Sequence, residues 1–209
     1  SVEERALLFT EGRDAIVAAS GAIAARFIAG LPHEKRVPEA RRQSLLPVHQ
    51  IEPRLLVEFL AMLGFEEGSQ TLLILMQNPD VEIRALGLRG FTQMGRYQPD
   101  CRSQVLQTLI TRQNEADPVR SAFLDELANL PPGGWNPTHF KALGEILKAG
   151  LNAADASPYT FASMERLILR LLPFQPAWSA PWLAKLLRHR GQTSVHGWEP
   201  YLQKPGSAE

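Results

Sequence analysis

The chain has 209 residues, 44% of them hydrophobic and 21% charged, which is enough apolar side chain for a sizeable core and excludes an intrinsically disordered chain. Twenty-two basic residues balance twenty-two acidic ones, so a global electrostatic partner such as duplex nucleic acid or an anionic membrane is not indicated. A single cysteine, Cys101, excludes an internal disulfide and any multi-cysteine metal site, and points to a reducing, cytoplasmic location.

The sequence opens Ser1-Val2-Glu3 without an initiator Met and reads as a piece of something longer. Residues 15–25 carry no charge, but the run falls short of the ~20 apolar residues of a membrane span. Glu3, Glu4 and Glu11 precede it, where a signal peptide would be positive. The run is expected to be a small-residue helix packed in the interior, inside a helix near 12–30. A helix pair near 38–47 and 52–64 follows, so 12–66 form an irregular N-terminal part. A short helix near 68–77 then pairs with 80–94, 99–113 with 117–130, and 136–150 with 157–172. A last helix near 179–190 closes a single domain over 1–190. Gly95–Gln98, Pro131–Asn136 and 152–157 read as loops, and 191–209, with Pro200, Pro205 and Gly206, as an irregular tail.

No run alternates like a strand. Three helices instead share one apolar template at i, i+3, i+4, i+7 spacing. It runs Ile83, Leu86, Gly87, Gly90, Phe91, Met94; then Val119, Ala122, Phe123, Leu127, Leu130, broken by Glu126; then Phe161, Met164, Ile168, Leu169, Leu172, broken by Glu165. The punctuation recurs as well. Asn78-Pro79, Asp117-Pro118 and Ser157-Pro158 stand 39 and 40 residues apart, each with a capping side chain before a proline suited to a first helical turn. Gln98-Pro99, Asn136-Pro137 and Gln175-Pro176 interleave with them at spacings of 38 and 39. A unit of about 40 residues holding two helices is the signature of an α-solenoid, whose helix pairs bury their apolar faces by stacking. The expected fold is therefore all-α: a right-handed solenoid of about four antiparallel helix pairs.

The stretch Asn78-Pro79-Asp80-Val81-Glu82-Ile83-Arg84-Ala85-Leu86, with its Asp and Arg four residues apart, resembles the start of the second helix of a HEAT repeat. Ala116-Asp117-Pro118-Val119-Arg120 is similar, with the spacing one shorter, whereas after Asp155 no arginine follows before Arg166. The resemblance implies that 67–172 form HEAT-like pairs. It also implies that Asp80, Arg84, Asp117 and Arg120 tie adjacent repeats together across the turn.

Chemistry is harder to find. His33, His49, His139, His189 and His196 fall in separate segments, and no His-x-x-x-His pair or zinc-like spacing occurs. A lone His33-Glu34 step cannot supply the two-iron site of HEAT-like deoxyhypusine hydroxylases. Cys101 near a helix start has no histidine close in sequence and reads as inert. Gly87 and Gly90 sit inside a helical stripe with no preceding strand, so they read as points of close helix approach rather than a phosphate loop. No cofactor is expected.

Charge is more informative. Residues 61–130 hold six basic and nine acidic residues, whereas 131–209 hold eight and five. Arg166, Arg170, Lys185, Arg188 and Arg190 lie in a stretch free of acids between Glu165 and Glu199, interleaved with Trp178, Trp182 and Trp198. This would be the patch of a nucleic-acid-binding solenoid, of which the HEAT-like DNA glycosylases are the enzymatic kind. The leading expectation is a non-enzymatic scaffold, adaptor or regulatory module that binds another protein, or other domains of its own chain. Its contact face would be a polar strip of Arg89, Gln93, Ser121, Asp125 and Asn129, opposite the apolar stripes. A HEAT-like lyase is a third reading that no residue supports.

Overall fold

A computed structural model describes residues 1–190; Trp198, His196 and the expected tail lie outside the described residues. Among the described residues the chain is all-helical, with twelve α-helices, two short 3-10 turns and no strand. No helix among them is long and apolar enough to cross a membrane. Where the sequence suggests one domain over 1–190, the contacts divide the chain into two compact units, Ser1–Gln98 and Pro99 onward.

The first unit holds α1 (Val2–Ile16), α2 (Ala25–Ala29), α3 (His33–Ser44), α4 (Pro47–Gln50), α5 (Pro53–Met62), α6 (Phe65–Leu75) and α7 (Val81–Tyr97). Its N-terminal part departs from expectation. Residues 17–24 are not helical, and Ala18, Ala19, Ser20 and Ala24 are exposed rather than packed. The chain turns there, with Gly21 N–H donating to Ala18 O at 2.8 Å and Gly21 at φ +80°, a region glycine enters without strain. The helix lies earlier instead, started at Ser1, whose side chain accepts from Glu4 N–H in a capping box.

α7 is the centre of this unit, packing on both α5 and α6. Its stripe glycines permit the approach. A Cβ on Gly87 would stand 2.8 Å from Met76 N, and one on Gly90 2.8 Å from Leu72 Cδ2 and 3.1 Å from Val57 Cβ. Asp80, not Asn78, caps α7, accepting from Glu82 N–H at 2.7 Å, and α7 runs through Gly95 to Tyr97 where a loop is expected. Gln98 then turns its side chain back, accepting from Phe65 N–H at 2.8 Å and donating to Leu63 O at 2.5 Å.

The second unit holds α8 (Arg102–Thr111), α9 (Asp117–Asn129), α10 (Pro137–Asn152), α11 (Pro158–Leu171) and α12 (Pro176–Arg190). The helices form two rows: α8 packs on α10 and α10 on α12, while α9 packs on α11. α11 also packs on α10 and α12, which joins the rows. Phe123, Leu124, Leu127, Leu143, Leu147, Met164 and Ile168 fill the core between them, each 1% exposed or less. The two glutamates that interrupt the apolar template, Glu126 and Glu165, are inside as well, at 4% and 1% exposed.

Candidate functional site

Two polar assemblies and one groove organise the second unit. The first assembly joins the N-terminal ends of α9 and α11. Asp117 does not cap its own helix, as its place before Pro118 suggests; it is the first residue of α9, and its carboxylate reaches across. Asp117 Oδ1 accepts from Ser157 N–H at 2.9 Å and from Thr160 Oγ1 at 2.7 Å. Arg120, 3% exposed, donates through Nη2 to Asp155 Oδ1 at 2.6 Å and through Nη1 to Glu115 O at 2.8 Å. Asp155 Oδ2 in turn accepts from Asp117 N–H at 3.1 Å. Burial works against the Asp117 carboxylate, yet the bonds from Ser157 and Thr160 and the charge of Arg120 together hold its pKa below the usual range. The Asp155 carboxyl is lowered too, first by its hydrogen bond from Arg120. Asp80 caps α7, and Arg84 Nη1 donates to Asn78 O at 2.9 Å and Pro79 O at 2.7 Å, bracing the turn before that helix.

The second assembly surrounds Arg102, which is 1% exposed. Its guanidinium lies over the Trp135 ring at 4.7 Å and donates to Pro131 O at 3.0 Å, fixing the 131–135 turn. Buried His139 stands edge-on to Trp135 and within 3.1 Å of Ser103 Oγ. A serine beside a histidine raises the question of a nucleophile and its base. Here Asn136 N–H donates to His139 Nδ1 at 3.3 Å, so the neutral ring keeps its proton on Nε2 and donates it to Ser103. That is the wrong polarity for a base. Burial, then Arg102, lower the His139 pKa, and burial raises the nearby Cys101 thiol to about 11. Both read as structural. Among the described residues no three His, Cys, Asp or Glu side chains are grouped to hold a metal ion.

The residues of the polar strip are shared between the two units. Arg89 and Gln93 lie on α7 in the first unit, and Ser121, Asp125 and Asn129 on α9 in the second. Arg89 is exposed; the other four are half-buried. Ser121 Oγ donates back to Pro118 O at 3.1 Å. Asp125, expected on the solvent side of its helix, is paired across helices with Arg166 of α11, which also donates to Asp125 O at 3.2 Å. A pair 41 residues apart has no local spacing to betray it.

The basic patch is also redistributed. Arg166 is held by Asp125, and Arg190 lies 3.6 Å from Glu165 and over the Phe161 ring at 5.5 Å. Arg170 is half-buried on α11. Lys185 and Arg188 remain exposed on α12, where they meet two lysines the sequence reading passes over, Lys141 and Lys148 of α10. α10 presents Lys141, Gly144, Glu145, Lys148 and Asn152; α12 presents Trp178, Trp182, Lys185 and His189. Both sets follow i, i+3 or i+4, i+7, i+11 spacing, the mark of a single helix face. Between the two helices lie hollows of about 440 and 390 Å³, and on the α8 side of α10 one of about 620 Å³ reaching Arg120 and Asp155. Lys148 borders all three. The i, i+7 pairing of Lys141 with Lys148 was the available signal, invisible until α12 is known to face it.

No family model matches the chain, and neither a curated protein nor a solved structure is found similar to it.

Proposed function

We propose that the chain is a HEAT-like α-solenoid segment that works as a non-catalytic module, binding another protein or another part of its own chain. The observation that carries this reading is the bridge from Asp117 and Arg120 to Asp155, Ser157 and Thr160. It ties the starts of α9 and α11 together through an Asp and an Arg 35 to 43 residues before their partners, which supports the link between adjacent repeats that the HEAT resemblance implies. Solenoids of this kind use extended surfaces built from equivalent positions of successive helices. The polar side chains nearest to a catalytic arrangement, Ser103 and His139, are engaged in holding a turn.

The nucleic-acid reading loses support at its own basic patch. Two of its five cations, Arg166 and Arg190, face carboxylates within the unit. Fewer remain than the ~6–10 phosphate contacts of typical duplex binders.

The test is affinity capture by the full chain from its native host, with and without nuclease treatment of the lysate. A protein retained after nuclease treatment is expected. Capture that nuclease abolishes would put the nucleic-acid reading first.

A further inference from the structure

We propose that the groove between α10 and α12 is the docking site for an acidic segment of a partner protein, an extended peptide carrying carboxylates with apolar side chains between them. This inference rests on the protein-binding reading above and gives it a site and a partner chemistry.

Charge makes the first argument. Lys141, Lys148, Lys185 and Arg188 line the groove and are exposed, and no ion pair holds any of them among the described residues. One carboxylate, Glu145, opposes them. Elsewhere in the unit two half-buried cations are paired, Arg166 with Asp125 and Arg190 with Glu165. The groove therefore carries a local positive charge that the neutral whole does not. An anionic partner complements it, with most of the gain in rate and selectivity.

The floor makes the second argument. Trp178 Nε1 donates to Phe140 O at 3.0 Å, and its ring leans on Phe140 and Trp182 at centroid distances of 5.2 and 6.3 Å. The two indoles are therefore positioned in advance. Gly144 keeps the floor open, because a Cβ there would stand 3.1 Å from Trp182 Cζ2. Indoles held in place beside lysines offer contacts to leucine- or phenylalanine-type side chains as well as to carboxylates. α10, with 16 residues at ~1.5 Å each, spans about 24 Å, the reach of roughly eight extended residues.

The same geometry disfavours single-stranded nucleic acid. Lys185 Nζ sits over the Trp182 ring at 4.2 Å, covering a face on which a base would stack.

The probe is a fluorescein-labelled peptide of about eight residues, alternating Glu with Leu and Phe, titrated into the full chain and followed by anisotropy. A single-stranded oligonucleotide of similar length, with the same label, is run beside it. Binding of the peptide is expected, weakened on the order of tenfold in Lys148→Glu/Lys185→Glu, while Arg54→Glu/Arg96→Glu, the same charge change on exposed residues of the first unit, leaves it within about twofold. Gly144→Leu, which fills the floor without altering charge, should weaken the peptide as well. Circular dichroism of each variant verifies that the helices persist. Tighter binding of the oligonucleotide, equal peptide binding by wild type and Lys148→Glu/Lys185→Glu, or no peptide binding at all would overturn the inference. If nuclease-resistant capture of a protein persists in that case, the docking site falls and the binding reading stands.

Discussion

Arg120 joins three points of the second unit: Glu115 O before α9, Asp117 at its start and Asp155 ahead of α11. Replacing it leaves the Asp117 carboxylate in a half-buried site without its cation. Arg120→Ala should therefore destabilise the chain by about 1–3 kcal/mol in urea denaturation. A change within about 0.5 kcal/mol, typical of surface substitutions, would mean that the bridge is solvated decoration. Asp117 adds a pH dependence. Its carboxyl has the ordinary value of 3.8 when unfolded and a lower one when folded. As pH falls, the unfolded chain takes up this proton first, so the stability it contributes is present above pH 3.8 and lost as pH drops through that value toward the folded one. The gap in denaturation midpoint between wild type and Asp117→Asn should therefore narrow below pH 3.8; a gap constant with pH would contradict the assignment. The sequence pointed to Asp117 and Arg120 through their family-like spacing, but took Asp117 for a helix cap. Its true partners, Ser157 and Thr160, lie 40 and 43 residues on, and only the stacking of α9 on α11 brings them near.

Among elements, α7 shows how a helix interior can need glycine. Alanine is favoured over glycine in a helix by about 1 kcal/mol. At Gly87 that gain is opposed by contact at 2.8 Å with the Met76 backbone nitrogen, which cannot rotate away. Gly87→Ala should thus destabilise, by about 1–3 kcal/mol, as α6 and α7 are forced apart. Gly12→Ala in α1, where a Cβ would meet nothing within 4 Å, should instead stabilise by up to about 1 kcal/mol. Equal effects at the two sites, read by thermal melting, would contradict the close-packing account. α7, α9 and α11 were legible in the sequence because a capping side chain or a proline sits at each start and one apolar stripe runs along each. The first thirty residues were not. Alanine-rich residues 15–25 look helical by composition, but such small side chains bury too little to hold a helix in place, and Gly21 turns the chain. The capping box at Ser1 and Glu4 was the usable signal there.

For the whole molecule, zero net charge conceals an uneven distribution. Attraction to the α10/α12 groove is local, so acidic-peptide affinity should fall as salt rises from about 50 to about 200 mM, while Arg54→Glu/Arg96→Glu shows the same slope as wild type. A salt-independent affinity would show that the lysines do not act. The sequence located the cationic, tryptophan-rich end, with Trp178, Trp182, Lys185 and Arg188, but not the pairing of Arg166 and Arg190 or the approach of Lys141 and Lys148, which are matters of tertiary packing. The central claim, that this is a binding module whose contact surface is the α10/α12 groove, is tested most directly by site-specific photo-crosslinking in the native host. A photoreactive residue would be placed at Asn152 in the groove, and separately at Gln93 on α7 and Asn129 on α9. The account predicts a protein adduct from Asn152 and none from Gln93 or Asn129. Adducts from Gln93 and Asn129 with none from Asn152 would contradict it and return the contact surface to the polar strip.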